Sequence, residues 1–119
     1  MKNKGENRFV ISDEVIASIE VQSIKNIDGI NGFAEKPKSI RNIFGSTGNL
    51  KYVNIVSSGN ISEIDIYVKA LYNFSLPDIC KKAQTAVKNA VESMTDKKVS
   101  SVNINVMSID FDAEPIKSK

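Results

Sequence analysis

Residues 75–95 read SLPDICKKAQTAVKNAVESMT. Leu76, Ile79, Cys80, Ala83, Ala86, Val87, Ala90, Val91 and Met94 recur at steps of three and four, which puts them on one face of a helix. Asp78, Lys81, Lys82, Thr85, Lys88, Asn89 and Glu92 fall mostly on the other. Ser75 is placed to cap the first free N–H groups, with Asp78 three residues on in a capping-box pattern. Pro77 fits the first turn, where its missing N–H costs nothing. Burying Leu76, Ile79, Val87, Val91 and Met94 is worth at most roughly 1.5–3 kcal/mol each. Such a face must lie on something apolar, and the alternating stretches on either side supply a sheet.

Working toward the N-terminus, Ile61–Tyr72 is the longest strand candidate. Ile64, Ile66, Val68 and Ala70 share one face; Glu63, Asp65, Tyr67 and Lys69 share the other, the pattern of a half-buried strand. Ser58-Gly59-Asn60 signals a hairpin to the alternating Tyr52–Ser57. Ile30–Ala34 is a brief strand. Before it, Ser12 reads as an N-cap, with Asp13 and Glu14 suiting a helix start. The helix runs from Asp13 to about Asn26, with Val15, Ile16, Ile19, Ser23, Ile24 and Ile27 as its apolar face and Gly29 as its stop. Phe9–Ile11 reads as a short first strand. Toward the C-terminus, Val99–Asp112 is the last strand. Val102, Ile104 and Val106 alternate with Ser101, Asn103 and Asn105; Ile109 and Phe111 continue out of phase, so a bulge is expected around Met107-Ser108.

The expected fold is therefore α+β. It is a two-layer sandwich with two amphipathic helices on one face of a mostly antiparallel sheet, in the order β-α-β-β-β-α-β. Residues 1–7 and 113–119 are polar tails, and residues 8–112 form one domain. The chain has 119 residues, enough for one core. A hydrophobic fraction of 41% and a charged fraction of 25% place it among soluble globular chains. A net charge of +2 does not argue for nucleic acid or an anionic membrane. MKNKGENR is polar, so no signal peptide is expected, and no stretch approaches the ~20 apolar residues of a membrane span. A single cysteine fits a reducing cytoplasm.

Histidine is absent. That removes Ser–His and Cys–His dyads and imidazole metal sites. No catalytic residue, cofactor or metal site is expected. Cys80 sits at a core position, where a small buried hydrophobe is the simple reading. Glu63 and Asp65 share a strand face that solvent explains better than a cation.

One loop carries a motif. Gly45-Ser46-Thr47-Gly48 matches the G-x-x-G with which KH domains clamp a nucleic-acid backbone, and Arg41 and Lys51 belong to the basic segment around it, with Lys36 and Lys38. KH loops join two helices, whereas Asn49 onwards reads as turn and then strand. A plain connection is the competing reading. Val102, Ile104 and Val106 mark a second candidate. At a sheet edge, this strand would offer its free N–H and C=O groups to another chain.

Three segments together resemble a known family. Ile11-Ser12-Asp13-Glu14-Val15-Ile16 opens the first helix, and Asn26-Ile27-Asp28-Gly29-Ile30 closes it. Val91-Glu92-Ser93-Met94-Thr95 then leads into Val99-Ser100-Ser101-Val102-Asn103-Ile104-Asn105-Val106. The pattern is similar to that of the alkaline-shock proteins of Gram-positive bacteria, over roughly residues 8 to 112. Asp96 and Asn73 stand where that family usually has Gly, and Glu20 stands where it has a small apolar residue. The resemblance implies a non-enzymatic cytoplasmic protein of envelope stress or lipid homeostasis. It further implies self-association into a homo-oligomer, and attachment at the membrane through a separate anchor protein rather than by insertion. Two function classes stay open: a protein-interaction or scaffold module, and a KH-like RNA-binding module using Gly45–Gly48.

Overall fold

The computed structural model describes residues 7, 9–38 and 48–111. Its elements are α1 (Asp13–Ile24), β1 (Ile30–Phe33), a 3-10 turn (Gly48–Lys51), β2 (Val53–Ser58), β3 (Ile61–Leu71), α2 (Leu76–Met94) and β4 (Lys98–Asp110). β3 is the centre of the sheet. β2 runs antiparallel along its first half, from Ser58 opposite Ile61 to Val53 opposite Ile66. β1 runs antiparallel along its second half, Ile30 opposite Ala70 and Phe33 opposite Val68. A strand has only two edges, so β1 and β2 lie end to end on one of them. β4 occupies the other, parallel to β3 from Ile61 beside Lys98 to Leu71 beside Asp110. A parallel partner needs a crossover, and α2 is that crossover.

The α+β class holds, with both helices contributing to one core. Ile64, Ile66 and Val68 of β3 meet Ile16, Ala17 and Ile24 of α1 and Ile79, Ala83, Val87 and Val91 of α2 there. Both expected caps form. Ser12 Oγ accepts the N–H of Val15 at 3.2 Å, and Ser75 Oγ accepts that of Asp78 at 3.4 Å.

Some expectations are corrected. Phe9–Ile11 is not a strand: Phe9 is 71% and Val10 82% exposed. Three apolar residues are short for a strand. The sheet of the described residues therefore has four strands. The buried stripe of α1 is Ile16, Ala17, Glu20, Val21 and Ile24, while Val15 faces solvent. Met94, expected in the core, is exposed. α2 ends with Thr95 in extended geometry, φ −134° and ψ 178°, so no left-handed residue follows it. The one non-glycine with positive φ among the described residues is Asn73, at 79°. It is one of the two positions where the resembled family has Gly, and Asn is among the few residues that tolerate the left-handed region.

The expected bulge is present. Val68 lies beside Val106 and Lys69 beside Ser108, so Met107 is the extra residue. A second slip, between Ser62 and Glu63, leaves Ser100 unpaired in the same way; no phase break in the sequence signalled it.

Candidate functional site

β4 pairs with β3 alone among the described residues, so its far side is a sheet edge. The two ends of that edge differ. At Val99 the main chain is covered: its N–H donates to Glu92 Oε2 at 2.8 Å, and its carbonyl accepts from Lys88 Nζ at 3.3 Å. Lys88 and Glu92 also pair with each other at 3.5 Å. The Val99 N–H, with Lys88 adding to it, holds the Glu92 carboxyl below the usual carboxylate range. Two charged side chains thus shield the start of the strand, a recognised protection against strand addition.

From Val102 to Ile109 no such cover is present among the described residues. Val102, Ile104 and Val106, the residues singled out in the sequence, pack against the core with their side chains. What they leave at the edge is main chain. On the opposite face Asn103 Nδ2 donates to Asp65 Oδ1 at 2.9 Å, and Asn105 Nδ2 donates to the Ile66 carbonyl at 3.3 Å. These bonds tie β4 to β3, and Asp65 is spoken for by Asn103 rather than free for a cation. The far end of β4 is apolar. Met107 is 48% and Phe111 66% exposed, and the Phe111 ring lies 4.9 Å from that of Tyr72. An open groove lined by Leu76, Val106, Met107, Ser108, Ile109 and Phe111 runs beside the strand. The apolar end was legible only as a phase break; the exposure of Tyr72, Met107 and Phe111 had no separate sequence signal.

The nucleic-acid candidate is not assembled in the same way. Arg41, Gly45, Ser46 and Thr47 lie outside the described residues. Gly48 opens the 3-10 turn with φ +55°, and the Glu14 carboxylate stands against it. Asn49 Nδ2 donates to Ser18 Oγ at 3.0 Å, tying the turn to α1. An acidic group at that point opposes a phosphate. Lys51 places its ammonium 5.8 Å from the Tyr52 ring centroid. Lys36 is buried, which pushes its amine below the ordinary lysine range. Two of the cations of the basic segment are thus used inside the fold.

Cys80 is half-buried rather than fully buried, and burial pushes its thiol up from the ordinary value. Among the described residues, no group of three or more Cys, Asp and Glu side chains is placed to hold a metal. No helix among them is long and apolar enough to cross a membrane. The residue that sequence reading missed is Glu20, which is fully buried. Its spacing from Ile16 and Ile24, four residues each way, was the available signal.

Comparison with known proteins bears on the whole chain. A family described as alkaline shock protein, with a cell envelope-related function, matches residues 1–111. The uncharacterized protein Spy1535 of Streptococcus pyogenes is 28% identical over 107 residues, 90% of this chain and 82% of that protein. The uncharacterized protein YqhY of Bacillus subtilis is 24% identical over 102 residues, covering 85% and 73%. Among solved structures, MamM-CTD aligns with TM-score 0.51 and 11% identity, covering 82% of this chain and 99% of the other. A zinc form of a MamM CTD variant aligns with TM-score 0.50 and 11% identity, covering 83% and 88%. At such identity the likeness is one of fold.

Proposed function

This chain belongs to the alkaline shock protein family, whose function is related to the cell envelope, and from that membership we propose that it acts by binding protein chains, copies of itself first. The observation that carries the reading is the outer edge of β4. From Val102 to Ile109 it pairs on one side only among the described residues, and Met107 and Phe111 near its end are exposed. A second strand laid on this edge would satisfy its main-chain groups, and the groove beside it would take apolar side chains at alternate positions. A second copy presents the same edge, so a two-fold pairing is self-complementary.

In this reading the protein is a non-enzymatic module that works in the cytoplasm. It reaches the envelope by attaching to a separate membrane-anchor protein, without inserting. The absence of histidine and the raised, half-buried Cys80 thiol support a role without catalysis. The Glu14 carboxylate beside Gly48 weighs against the RNA-binding alternative.

Sedimentation velocity over a range of concentrations, at low and high salt, tests the proposal. Wild type should associate with rising concentration, and the association should survive salt, since an apolar strand interface is little screened. Met107→Lys places a charge on the edge at an already exposed position, so it should weaken association and leave the fold intact. A strictly monomeric protein that binds RNA, with the binding weakened by salt and lost in Gly45→Asp/Gly48→Asp, would establish the other class instead.

A further inference from the structure

Glu20 is the one charged residue of α1 on its buried stripe. Ile16, Glu20 and Ile24 follow one another at four-residue steps, and each is 0% exposed. Ala17 and Val21 flank them. Neither carboxyl oxygen of Glu20 has a hydrogen-bond partner among the described residues. Its main-chain carbonyl accepts from Ser23 Oγ at 2.7 Å.

No cation on the neighbouring described elements answers this carboxyl. α2 contributes Ile79, Ala83, Val87 and Val91 to the core, while its Asp78, Lys81, Lys82 and Lys88 are exposed and its Glu92 is engaged by Lys88 and Val99. The core face of β3 is Ile64, Ile66 and Val68. In the 3-10 turn, Lys51 lies over Tyr52. On α1 itself, Glu14 faces Gly48, and Lys25 lies exposed beyond the helix end. Asp13, two turns upstream, acts on Glu20 in the unfavourable sense. Burial first, and Asp13 second, push the Glu20 carboxyl up to about 8. An unpaired buried carboxylate is far costlier than the neutral acid, so docked α1 keeps the proton.

α1 is held to the rest of the fold by side-chain packing and not by a strand ladder. It pairs with no strand. It is rich in β-branched residues, which favour helix only weakly. Asn49 of the 3-10 turn donates to its Ser18, and its Glu14 carboxylate stands against Gly48. Gly29, at φ +98°, marks its junction with β1. β3, α2 and β4, by contrast, are joined by a long strand ladder and a covalent crossover.

We infer that Glu20 is a proton-controlled latch: α1 stays docked while the carboxyl is neutral, and loss of the proton releases α1 from the layer of α2 and the sheet. Released α1 would bare Ala83, Val87 and Val91 of α2 and Ile64 and Ile66 of β3, an apolar surface separate from the β4 edge. The sign follows from linkage. In released α1 the carboxyl is in water, with its ordinary value of 4.5, against about 8 when docked. Below 4.5 both states hold the proton, and pH has no effect through this group. Between 4.5 and about 8 only the released state is ionised, so release gains up to about tenfold per pH unit. Above about 8 both states are ionised and the gain levels off.

Native-state hydrogen exchange by NMR, as protection factors from about pH 5 to about pH 9, tests this on the full chain. In wild type the protection of the Val21 and Ile24 amides should fall by up to about tenfold per pH unit and flatten above about pH 8. In Glu20→Gln and Glu20→Ala it should not change with pH. The Ile66 and Val68 amides of β3 should stay protected throughout. Loss of β3 protection in step with α1 would overturn the latch, because release would then be global unfolding. So would a pH dependence retained in Glu20→Gln. The side-chain carboxyl carbon of Glu20, followed in wild type, needs no variant to fold: a midpoint near 8 supports the latch, and one near 4.5 overturns it.

Discussion

Cys80 shows how a single position joins sequence to chemistry. Its place on the α2 stripe predicts a core residue, but it is half-buried, while Ile79 beside it is buried. Burial raises the thiol, so at neutral pH little of it is thiolate, the reactive form. A thiol reagent should therefore label the native protein slowly and the denatured protein quickly, as followed by mass spectrometry. Fast stoichiometric labelling of the native state would contradict this assignment. Other residues were harder to read. At Asn73 it is the backbone that shows the position to be left-handed. Lys88 reads as a solvated lysine, but it bonds the Val99 carbonyl and pairs with Glu92. Helical periodicity assigns a face; it does not tell that a long side chain on the polar face reaches back to a neighbouring strand.

At the scale of elements, α2 is the test of the fold. Val87 is wholly buried, and Gln84, three residues earlier, is exposed. Val87→Asp should cost roughly 3 kcal/mol or more, since it buries an unpaired charge. Gln84→Asp should be nearly silent. Thermal melts of the two variants decide it. The link between α1 and β1 makes a second prediction. Gly29 and Gly32 have φ of +98° and +102°, so Ala strains the backbone at either by about 1–3 kcal/mol. At Gly29 a Cβ would also meet Phe74 at 3.0 Å and Ile79 more closely, while nothing lies within 4 Å at Gly32. Gly29→Ala should thus be the more destabilising, by roughly a further 1–3 kcal/mol in denaturant unfolding. The strands of β2, β3 and β4 were legible because alternation marks a sheet with one wet face. Pairing direction was not: the hairpin turn at Gly59 predicts the antiparallel β2–β3 pair, but only the crossover through α2 makes β3 and β4 parallel. α1 was legible in extent but not in facing, because its polar positions include the buried Glu20.

On the scale of the whole molecule, the sheet has one face on the helices and a second face that is largely exposed, with Tyr67 buried on it. The exposed face is held by polar cross-strand bonds such as Asn103 to Asp65 and Asn31 to Asp110, at 2.9 and 3.0 Å. β4 differs: among the described residues it is the longest strand, shielded by Lys88 and Glu92 at its start and with an uncovered outer edge from Val102 to Ile109. This asymmetry could not be read from the sequence, because it depends on which strand is outermost. It is the reason for assigning the protein a role in binding another chain.

The most direct measurement is hydrogen exchange with mass spectrometry at two protein concentrations, one dilute and one near saturation, comparing residues 102–110 with residues 53–58. Pairing on the β4 edge predicts slower exchange over 102–110 at high concentration and unchanged exchange over 53–58. Exchange over 102–110 that is the same at both concentrations, or protection gained at 53–58 instead, would contradict it.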